Sequence, residues 1–256
     1  MLYWVGAKRR LLTQLFDLFP KNKSTFIDMF MGSGVVTNAA SKIYKNVIAN
    51  DIDNNVYNLF LQLQNHREAF YNAIEEIPLH ESIVKDWCRQ EPKDDFERAC
   101  KFVVISNYTF MATGHTLRAS VNNHIKDVLA NSIKTFIKTS NVLFLNKHFT
   151  KVMNAVSMRD DRREKNQCFI YADPPYIECS ESKTYNTKWE IDDFHILLNL
   201  LKESGVDFAI SETDRILKHI DLTGLNVIEL KNIRHLNKRA NEILITNYDC
   251  KQAELF

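Results

Sequence analysis

A short apolar run that ends in a glycine turn constrains the fold of this chain more than any other feature. Residues 25–31 (TFIDMFM) are apolar and partly β-branched, and a Gly-Ser-Gly turn follows at 32–34. Residues 35–44 then fit a helix, and a second apolar run at 45–50 ends at Asp51. Two short strands joined by one helix predict a βαβ unit with a right-handed crossover.

The same alternation of strands and helical segments returns in the second half of the chain. It predicts a doubly wound, largely parallel α/β sheet of Rossmann-like type. Between the two halves the pattern is helical. We therefore predict an α/β domain built from residues 1–53 and 152–256, which a mainly helical insertion over 54–151 interrupts. The later predicted strands are 168–172, 206–211, 226–230 and 242–248.

Composition excludes several classes of protein. The 256 residues are 45% hydrophobic and 25% charged, which is typical of a globular protein. No segment approaches the ~20 apolar residues that a membrane span needs, and the basic Lys8, Arg9 and Arg10 argue against a secretory leader. The five cysteines form no C-x-x-C pair, which predicts reduced thiols in a cytosol and no bound metal.

The net charge of +1 hides a basic segment. Between 106 and 151 six bases face one acid, Asp127. Such a segment is typical of a polyanion-binding surface, because every neutralised phosphate releases counterions. A solvated helical surface explains the same charges, so both interpretations remain open at this point.

The glycine turn and Asp51 suggest a nucleoside site. Glycines allow close approach to the backbone, and an acid after the second strand commonly receives two ribose hydroxyls. Position 37 is Thr, so the third glycine of the dinucleotide fingerprint is missing. A ribose-bearing ligand without a pyrophosphate fits this pair. A structural turn followed by a helix-capping Asp is the alternative.

The tetrapeptide Asp173-Pro174-Pro175-Tyr176 follows the apolar run at 168–172. It therefore lies at the carboxyl end of a predicted strand, where open α/β sheets place their ligands. The prolines fix the backbone and remove two N–H donors, so nearby carbonyls are left to accept. An acid, free carbonyls and an aromatic face suit a flat ring that carries an amino group. A chance turn is the alternative.

Four motifs in fixed order support a family resemblance. They are Trp4-x-Gly6-x-Lys8, Phe30-x-Gly32-x-Gly34, Asn50-Asp51 and Asp173-Pro174-Pro175-Tyr176. In this order they resemble the Dam-type DNA adenine methyltransferases, and bacteriophage members in particular. The resemblance implies a class I methyltransferase fold and a cytoplasmic enzyme of a bacterium or a phage-infected cell.

The resemblance also implies residue roles. S-adenosylmethionine is the expected cofactor, and the catalytic motif is expected at Asp173, Pro174, Pro175 and Tyr176. Tyr185, Asn186 and Trp189 resemble a segment that closes over the site in the family. The predicted cofactor-binding residues are Trp4, Gly6, Lys8, Phe30, Gly32, Gly34, Asp51 and Asp173.

The insertion departs from the family pattern. GATC-reading relatives carry an Asn-x-Pro-Phe-Gly-like segment after an Arg-containing loop, whereas this chain has only 110–118 (FMATGHTLR). This difference predicts another recognition site or relaxed specificity. Double-stranded DNA is the expected partner, and Arg118, Lys126 and Lys134 are the predicted DNA contacts.

The predicted reaction is direct transfer of a methyl group to adenine N6 in DNA after base flipping. The same pocket chemistry serves other planar amines, namely cytosine N4, RNA adenine or protein glutamine. A catalytically silent DNA-binding protein on this scaffold is a second alternative.

Overall fold

The computed structural model describes residues 8–77, 80–109, 127, 129–133, 141–157, 162–176, 189–230 and 240–250. They belong to two compact units. The sheet unit combines Lys8–Ile52 with Asn141–Phe256, and the helical unit comprises Asp53–Ser140.

The sheet unit is built on a seven-stranded sheet with the order β3-β2-β1-β4-β5-β7-β6. Strands β1 to β5 run parallel to one another, and β7 runs antiparallel to both β5 and β6. The predicted doubly wound, mostly parallel sheet is therefore confirmed. The strands are β1 (Thr25–Asp28), β2 (Asn46–Asn50), β3 (Val142–Leu145), β4 (Cys168–Ala172), β5 (Asp207–Thr213), β6 (Asn226–Glu229) and β7 (Glu242–Thr246).

Helices cover the sheet and form the second unit. Short 3-10 helices lie at Lys8–Arg10 and Asp214–Lys218. The helices are α1 (Leu12–Leu18), α2 (Val35–Ala40), α3 (Asn54–Asn65), α4 (Arg67–Glu76), α5 (Glu81–Arg89), α6 (Asp95–Tyr108), α7 (Phe149–Ser157), α8 (Arg162–Asn166) and α9 (Ile191–Ser204). Over the described ranges, no helix has the length and apolar character needed to cross a membrane.

Both faces of the sheet are buried, as expected for parallel strands. On one face Ile170 and Phe208 pack with α7 and α9 in a single apolar cluster. On the other face Phe19, directly after α1, lies against Phe26 and Phe169, with ring centroids 5.8 and 5.0 Å away. All five residues of β4 are buried, so the chain that leaves this strand begins from a rigid position.

The helical unit has its own caps and core. Asp53 caps α3 by accepting a hydrogen bond from the Asn55 amide, and Asp94 caps α6 through the Glu97 amide. Phe70 of α4 is fully buried, and its ring lies 5.7 Å from that of Phe96. These contacts agree with the helical pattern predicted for this part of the chain.

The predicted insertion extends too far at its C-terminal end. Val142–Leu145 is strand β3 and pairs in parallel with β2, so this segment belongs to the sheet unit and not to an insertion over 54–151. The strand has only four residues and lies at the sheet edge, where Leu143 is 57% exposed. Its four residues (VLFL) are all apolar, so a strand signal is present, but the run is short and lies inside the basic segment at 106–151.

Candidate active site

The predicted site residues of the sheet unit gather at one edge of the sheet. Because β1, β2 and β4 run parallel, their carboxyl ends meet at the same edge. The glycine turn follows β1, Asp51 follows β2 and Asp173 follows β4. The edge therefore combines all three motifs that the sequence placed after strands.

The glycine turn and Asp51 are joined directly. The Gly32 amide donates to the Asp51 carboxylate at 2.8 Å, and the Met31 amide donates to the Asn50 carbonyl, also at 2.8 Å. Gly32 and Gly34 have φ angles of 48° and 68°, which side chains other than glycine rarely adopt. The sequence thus fixes a tight turn that presents backbone at the end of β1.

Asn50 holds the neighbouring strand ends together. Its side-chain amide donates to the carbonyls of Met29 and Lys147 at 3.1 and 3.0 Å, and its Oδ1 accepts from the Lys147 amide at 3.0 Å. Asn146 donates to the Asp51 carbonyl at 2.9 Å. This buried network fixes the backbone on which Asp51 is carried.

Asp28, at the end of β1, is a buried acid that the sequence analysis did not single out. It is 1% exposed, and its Oδ2 accepts from the Thr37 hydroxyl at 2.6 Å. Burial raises the pKa of Asp28 to about 7; the Thr37 hydrogen bond opposes that rise, and the charges of Asp173 and Asp51 add to it. The contact joins β1 to α2 beneath the glycine turn.

Lys8, Asp173 and Tyr176 form a compact cluster. The Lys8 ammonium lies 2.7 Å from Asp173 Oδ1 and 4.9 Å from the centroid of the Tyr176 ring. The Lys8 side chain is 3% exposed and that of Asp173 19%. Burial raises the pKa of Asp173 above its ordinary value, while the charge and hydrogen bond of Lys8 lower it. Lys8 therefore favours the carboxylate form of a largely buried acid.

Phe30 and Trp189 lie in an aromatic group. The Phe30 ring is 5.4 Å from that of Trp189 and 5.9 Å from that of Phe149. Trp189 is 6% exposed and packs into the apolar cluster beside α7 and α9. The Phe30 ring is thus packed against other aromatic side chains of the same unit, one of which, Phe149, belongs to α7.

Glu212 is a second buried acid that the sequence analysis missed. It lies near the end of β5 and is 1% exposed. Its Oε1 accepts from the amide and the hydroxyl of Thr213 at 2.8 and 3.3 Å. Burial raises the pKa of Glu212 to about 7, against the opposing effect of these hydrogen bonds. Asp28 lies inside the apolar run at 25–31, and Glu212 closely follows the apolar residues 208–210. The sequence signal that they share is an acid within or just after an apolar strand segment.

Comparison with known proteins identifies the family. The sequence matches the D12 class N6 adenine-specific DNA methyltransferases over residues 4–252. The chain belongs to this family. Its Rossmann-like sheet with the antiparallel β7 is accordingly the class I methyltransferase fold predicted from the motifs.

Similar proteins within and beyond the family are distant in sequence. Modification methylase StsI of Streptococcus sanguinis is 26% identical, over 99% of this chain and 43% of that protein. Type II methyltransferase M.FokI of Planomicrobium okeanokoites is 25% identical, over 96% of this chain and 42% of that protein. The chain thus spans about two-fifths of the length of these two relatives. The structure of an rRNA methylase from Streptococcus thermophilus superposes with a TM-score of 0.37 and 9% identity, over 94% of this chain and 97% of the other.

Several predicted site positions of this chain lie outside the described residues. The predicted cofactor contacts Trp4 and Gly6 lie outside the described ranges. So do the three predicted DNA contacts, Arg118, Lys126 and Lys134. Tyr185 and Asn186 are outside as well. Within the described part of the chain, no His, Cys, Asp and Glu side chains form a group of three that could hold a metal ion.

The residues present fit S-adenosylmethionine, the methyl donor of the family. The Tyr176 hydroxyl and Trp189 Nε1 are among the buried polar atoms of the described residues that have no hydrogen-bond partner there. Buried polar atoms are normally satisfied, so these atoms indicate a place for a polar ligand. Asp51 and the backbone of the glycine turn suit a nucleoside, and the excess of carboxylates suits a cationic sulfonium.

Proposed function

We propose that this chain methylates adenine N6 in double-stranded DNA at specific sites. The single observation that carries this proposal is the Lys8–Asp173–Tyr176 cluster, which lies at the same sheet edge as the glycine turn and Asp51. An acceptor for an amine and a flat ring for a base thus lie at the edge that suits the methyl donor. Family membership supports this reading.

Among the described residues, those that would hold the cofactor are Lys8, Phe30, Gly32, Gly34, Asp51 and Asp173. When bound, S-adenosylmethionine supplies an electrophilic methyl group: the amine lone pair forms the new C–N bond, the C–S pair remains on sulfur and the amine loses a proton. The glycine turn admits the ligand close to the backbone, and Asp51 fixes its orientation by accepting from ribose hydroxyls.

Asp173 prepares the amine for attack. Its Oδ1 accepts a hydrogen bond from the Lys8 ammonium. In this proposal Oδ2 and the Pro174 carbonyl accept hydrogen bonds from the two N–H groups of the adenine amine. These bonds favour a pyramidal nitrogen whose lone pair is available. Positive charge then grows on the nitrogen beside a fixed carboxylate, which stabilises it.

Lys8 maintains the charge state on which this role depends. A protonated Asp173 would lose an acceptor site. Burial favours this protonated form, because it raises the pKa of Asp173. The ammonium at 2.7 Å opposes this effect. Lys8 thus acts on the amine acceptor, in addition to the cofactor contact that the family resemblance assigns to it.

Tyr176 supplies the surface for the base. Adenine N6 is inaccessible inside a duplex, so the nucleotide must swing out of the stack. The Tyr176 ring follows Asp173 by three residues, and its cation contact with Lys8 orients it at the acceptor. We therefore assign stacking on the flipped adenine to this ring.

Arg9 and Arg10 are two described cations that directly follow Lys8 in the chain. Both are exposed, in the 3-10 helix whose first residue, Lys8, turns inward to Asp173. We assign them to the phosphates that flank the target nucleotide. Sequence recognition belongs, in this proposal, to the helical unit with Arg118, Lys126 and Lys134. A reducing cytoplasm suits a DNA enzyme whose Cys100, Cys168 and Cys250 are free thiols.

Plasmid DNA from a host that lacks adenine methylation tests the proposal directly. The protein is incubated with this DNA and labelled S-adenosylmethionine, and the digested nucleosides are separated. We expect label in N6-methyladenine, and none in the Asp173→Ala control. Label in N4-methylcytosine, or transfer only to RNA or protein, would establish one of the alternative amines. Retention of DNA without any label would establish a silent binding protein.

A further inference from the structure

Glu212 is a buried carboxyl group that the proposed reaction leaves without a role. One of its oxygens is held by Thr213, whereas Oε2 has no hydrogen-bond partner among the described residues. A buried carboxyl oxygen without a partner is costly, so it is seldom retained without a reason. Its strand, β5, lies directly beside β4, from which Asp173 emerges.

The charges that act on Glu212 include those of the acceptor cluster on the neighbouring strand end. Asp173 and Lys8 act on it electrostatically in opposite directions, and its charge in turn acts on Tyr176. Across the pairing with β7, Glu242 lies one register position away and acts on Asp173. The remaining charged neighbours along the chain are Asp214 and Arg215, just after β5.

We propose that Glu212 is a positioning residue for the Lys8–Asp173 pair, whose carboxyl gains or loses a charge within the site and so sets how strongly Asp173 attracts the target amine. The inference rests on the proposed function, because it assumes that Asp173 receives an amine. Glu212 itself touches neither substrate nor cofactor in this account; it acts through the pair.

The direction of the effect follows from the charges. When Glu212 is protonated, the Lys8 ammonium compensates Asp173 alone. When Glu212 is ionised, two carboxylates share one ammonium, so Asp173 becomes a stronger acceptor and the positive charge that develops on the amine is better stabilised. Since burial raises the pKa of Glu212 to about 7, the transfer rate is expected to rise with pH through neutrality.

A titration of the ligand-free protein tests the coupling without any methyl transfer. The carboxyl groups of glutamate are labelled with ¹³C, and the Glu212 signal is assigned from its absence in Glu212→Gln. We expect a midpoint near 7. Asp173→Asn should increase the ionisation constant by about threefold or more, and Lys8→Met should decrease it by a similar factor. A Glu212 midpoint that neither change moves would overturn the proposal.

The pH profile of single-turnover methylation tests the consequence. Wild type and Glu212→Gln should be about equal near pH 6, whereas near pH 8 the wild type should be about three- to tenfold faster. Glu203→Gln is the matched control: its exposed acid on α9 is outside the site, so its profile should follow the wild type. Asp28 titrates in the same range in all three proteins. Its contribution to the pH profile therefore cancels when each variant is compared with the wild type.

The two experiments separate this inference from the proposed function. If the wild type transfers no methyl group to DNA, the proposed function fails, whatever the titration shows. If the wild type methylates DNA and Glu212→Gln has the wild-type profile, the positioning role fails and the proposed function stands. A loss of rate in Glu212→Gln that is equal at every pH would show a merely structural residue and would also overturn the inference.

Discussion

The two halves of the sheet edge are assembled in different ways. On the β1–β2 side, the contact between Gly32 and Asp51 joins residues 19 positions apart, within one βαβ unit. On the β4–β5 side, the contact between Lys8 and Asp173 joins residues 165 positions apart. The first half is formed by local folding, whereas the second exists only after the segment that carries Lys8 has packed against the end of β4.

This difference separates ligand binding from chemistry. The β1–β2 side presents backbone and a carboxylate that accepts a backbone hydrogen bond from Gly32, which suits recognition of a nucleoside. The β4–β5 side presents a buried ion pair and an aromatic ring, whose charge state governs reactivity. Substitutions on the first side should change cofactor affinity, and substitutions on the second should change the rate of transfer.

Removing the acid of the β4–β5 side should have the largest effect. Asp173→Ala deletes the positioned carboxylate, so the single-turnover rate should fall by at least ~10²-fold. Radiolabel transfer at saturating cofactor measures this loss. Asp17→Ala, an exposed acid of α1, serves as the control and should keep the wild-type rate. Near-normal transfer by a folded Asp173→Ala protein would show that the β4–β5 side does not carry the chemistry.

Asp28 should destabilise the β1–β2 side as pH rises. The pKa of this carboxyl is raised from 3.8 to about 7 in the folded protein. Between those values the unfolded chain releases a proton that the folded chain keeps, so native stability is lost as pH rises and the loss is complete above about 7. In urea denaturation, the advantage of Asp28→Asn over wild type should therefore grow by about 2 kcal/mol or more between about pH 4 and about pH 8. Parallel pH curves for the two proteins would contradict this.

Tyr176 should affect transfer through stacking. Tyr176→Ala removes the ring, and losses of about 1–3 kcal/mol per base are typical of such changes. Tyr176→Phe keeps the ring and removes only the hydroxyl, so it should retain most of the activity. Single-turnover rates with an extrahelical adenine opposite a gap distinguish the two. Equal losses in both variants would assign the role to the hydroxyl instead of the ring.

Asp51 should affect affinity more than rate. Asp51→Asn keeps the shape of the side chain but weakens charge-assisted hydrogen bonds, so the Kd for S-adenosylmethionine should rise by about tenfold. Transfer at saturating cofactor should remain within about threefold of wild type. Calorimetric titration and single-turnover kinetics measure the two quantities separately. A rate loss without a change in Kd would place Asp51 in the chemistry and contradict the division between the two sides.

Sequence reasoning succeeded where a residue type marks a strand end. The glycine turn, Asp51 and Asp173 each follow an apolar run, and the structure brings them to one edge. It failed for β3, whose four apolar residues lie inside the basic segment at 106–151 and were assigned with that segment to the insertion. It also missed Asp28 and Glu212, because the cost of burying an acid depends on surroundings that only the assembled sheet defines. The Lys8–Asp173 distance was equally beyond sequence, since no local pattern connects the two residues.

Arg9 and Arg10 offer the smallest effect and test whether DNA meets this edge of the sheet. If each binds one phosphate, the double change Arg9→Ala/Arg10→Ala should reduce the slope of log Kd against log salt by about 2, for every DNA sequence tested. Lys42→Ala/Lys45→Ala removes the same charge from exposed residues just before β2 begins, near the opposite end of the strands. The proposed DNA path runs along the carboxyl edge, where Asp173 lies. Removing the control lysines from the opposite end of the strands should therefore leave the salt slope unchanged. Equal slopes in the two double variants would show that net charge alone attracts DNA, and the proposed path of the duplex over the 3-10 helix would be wrong.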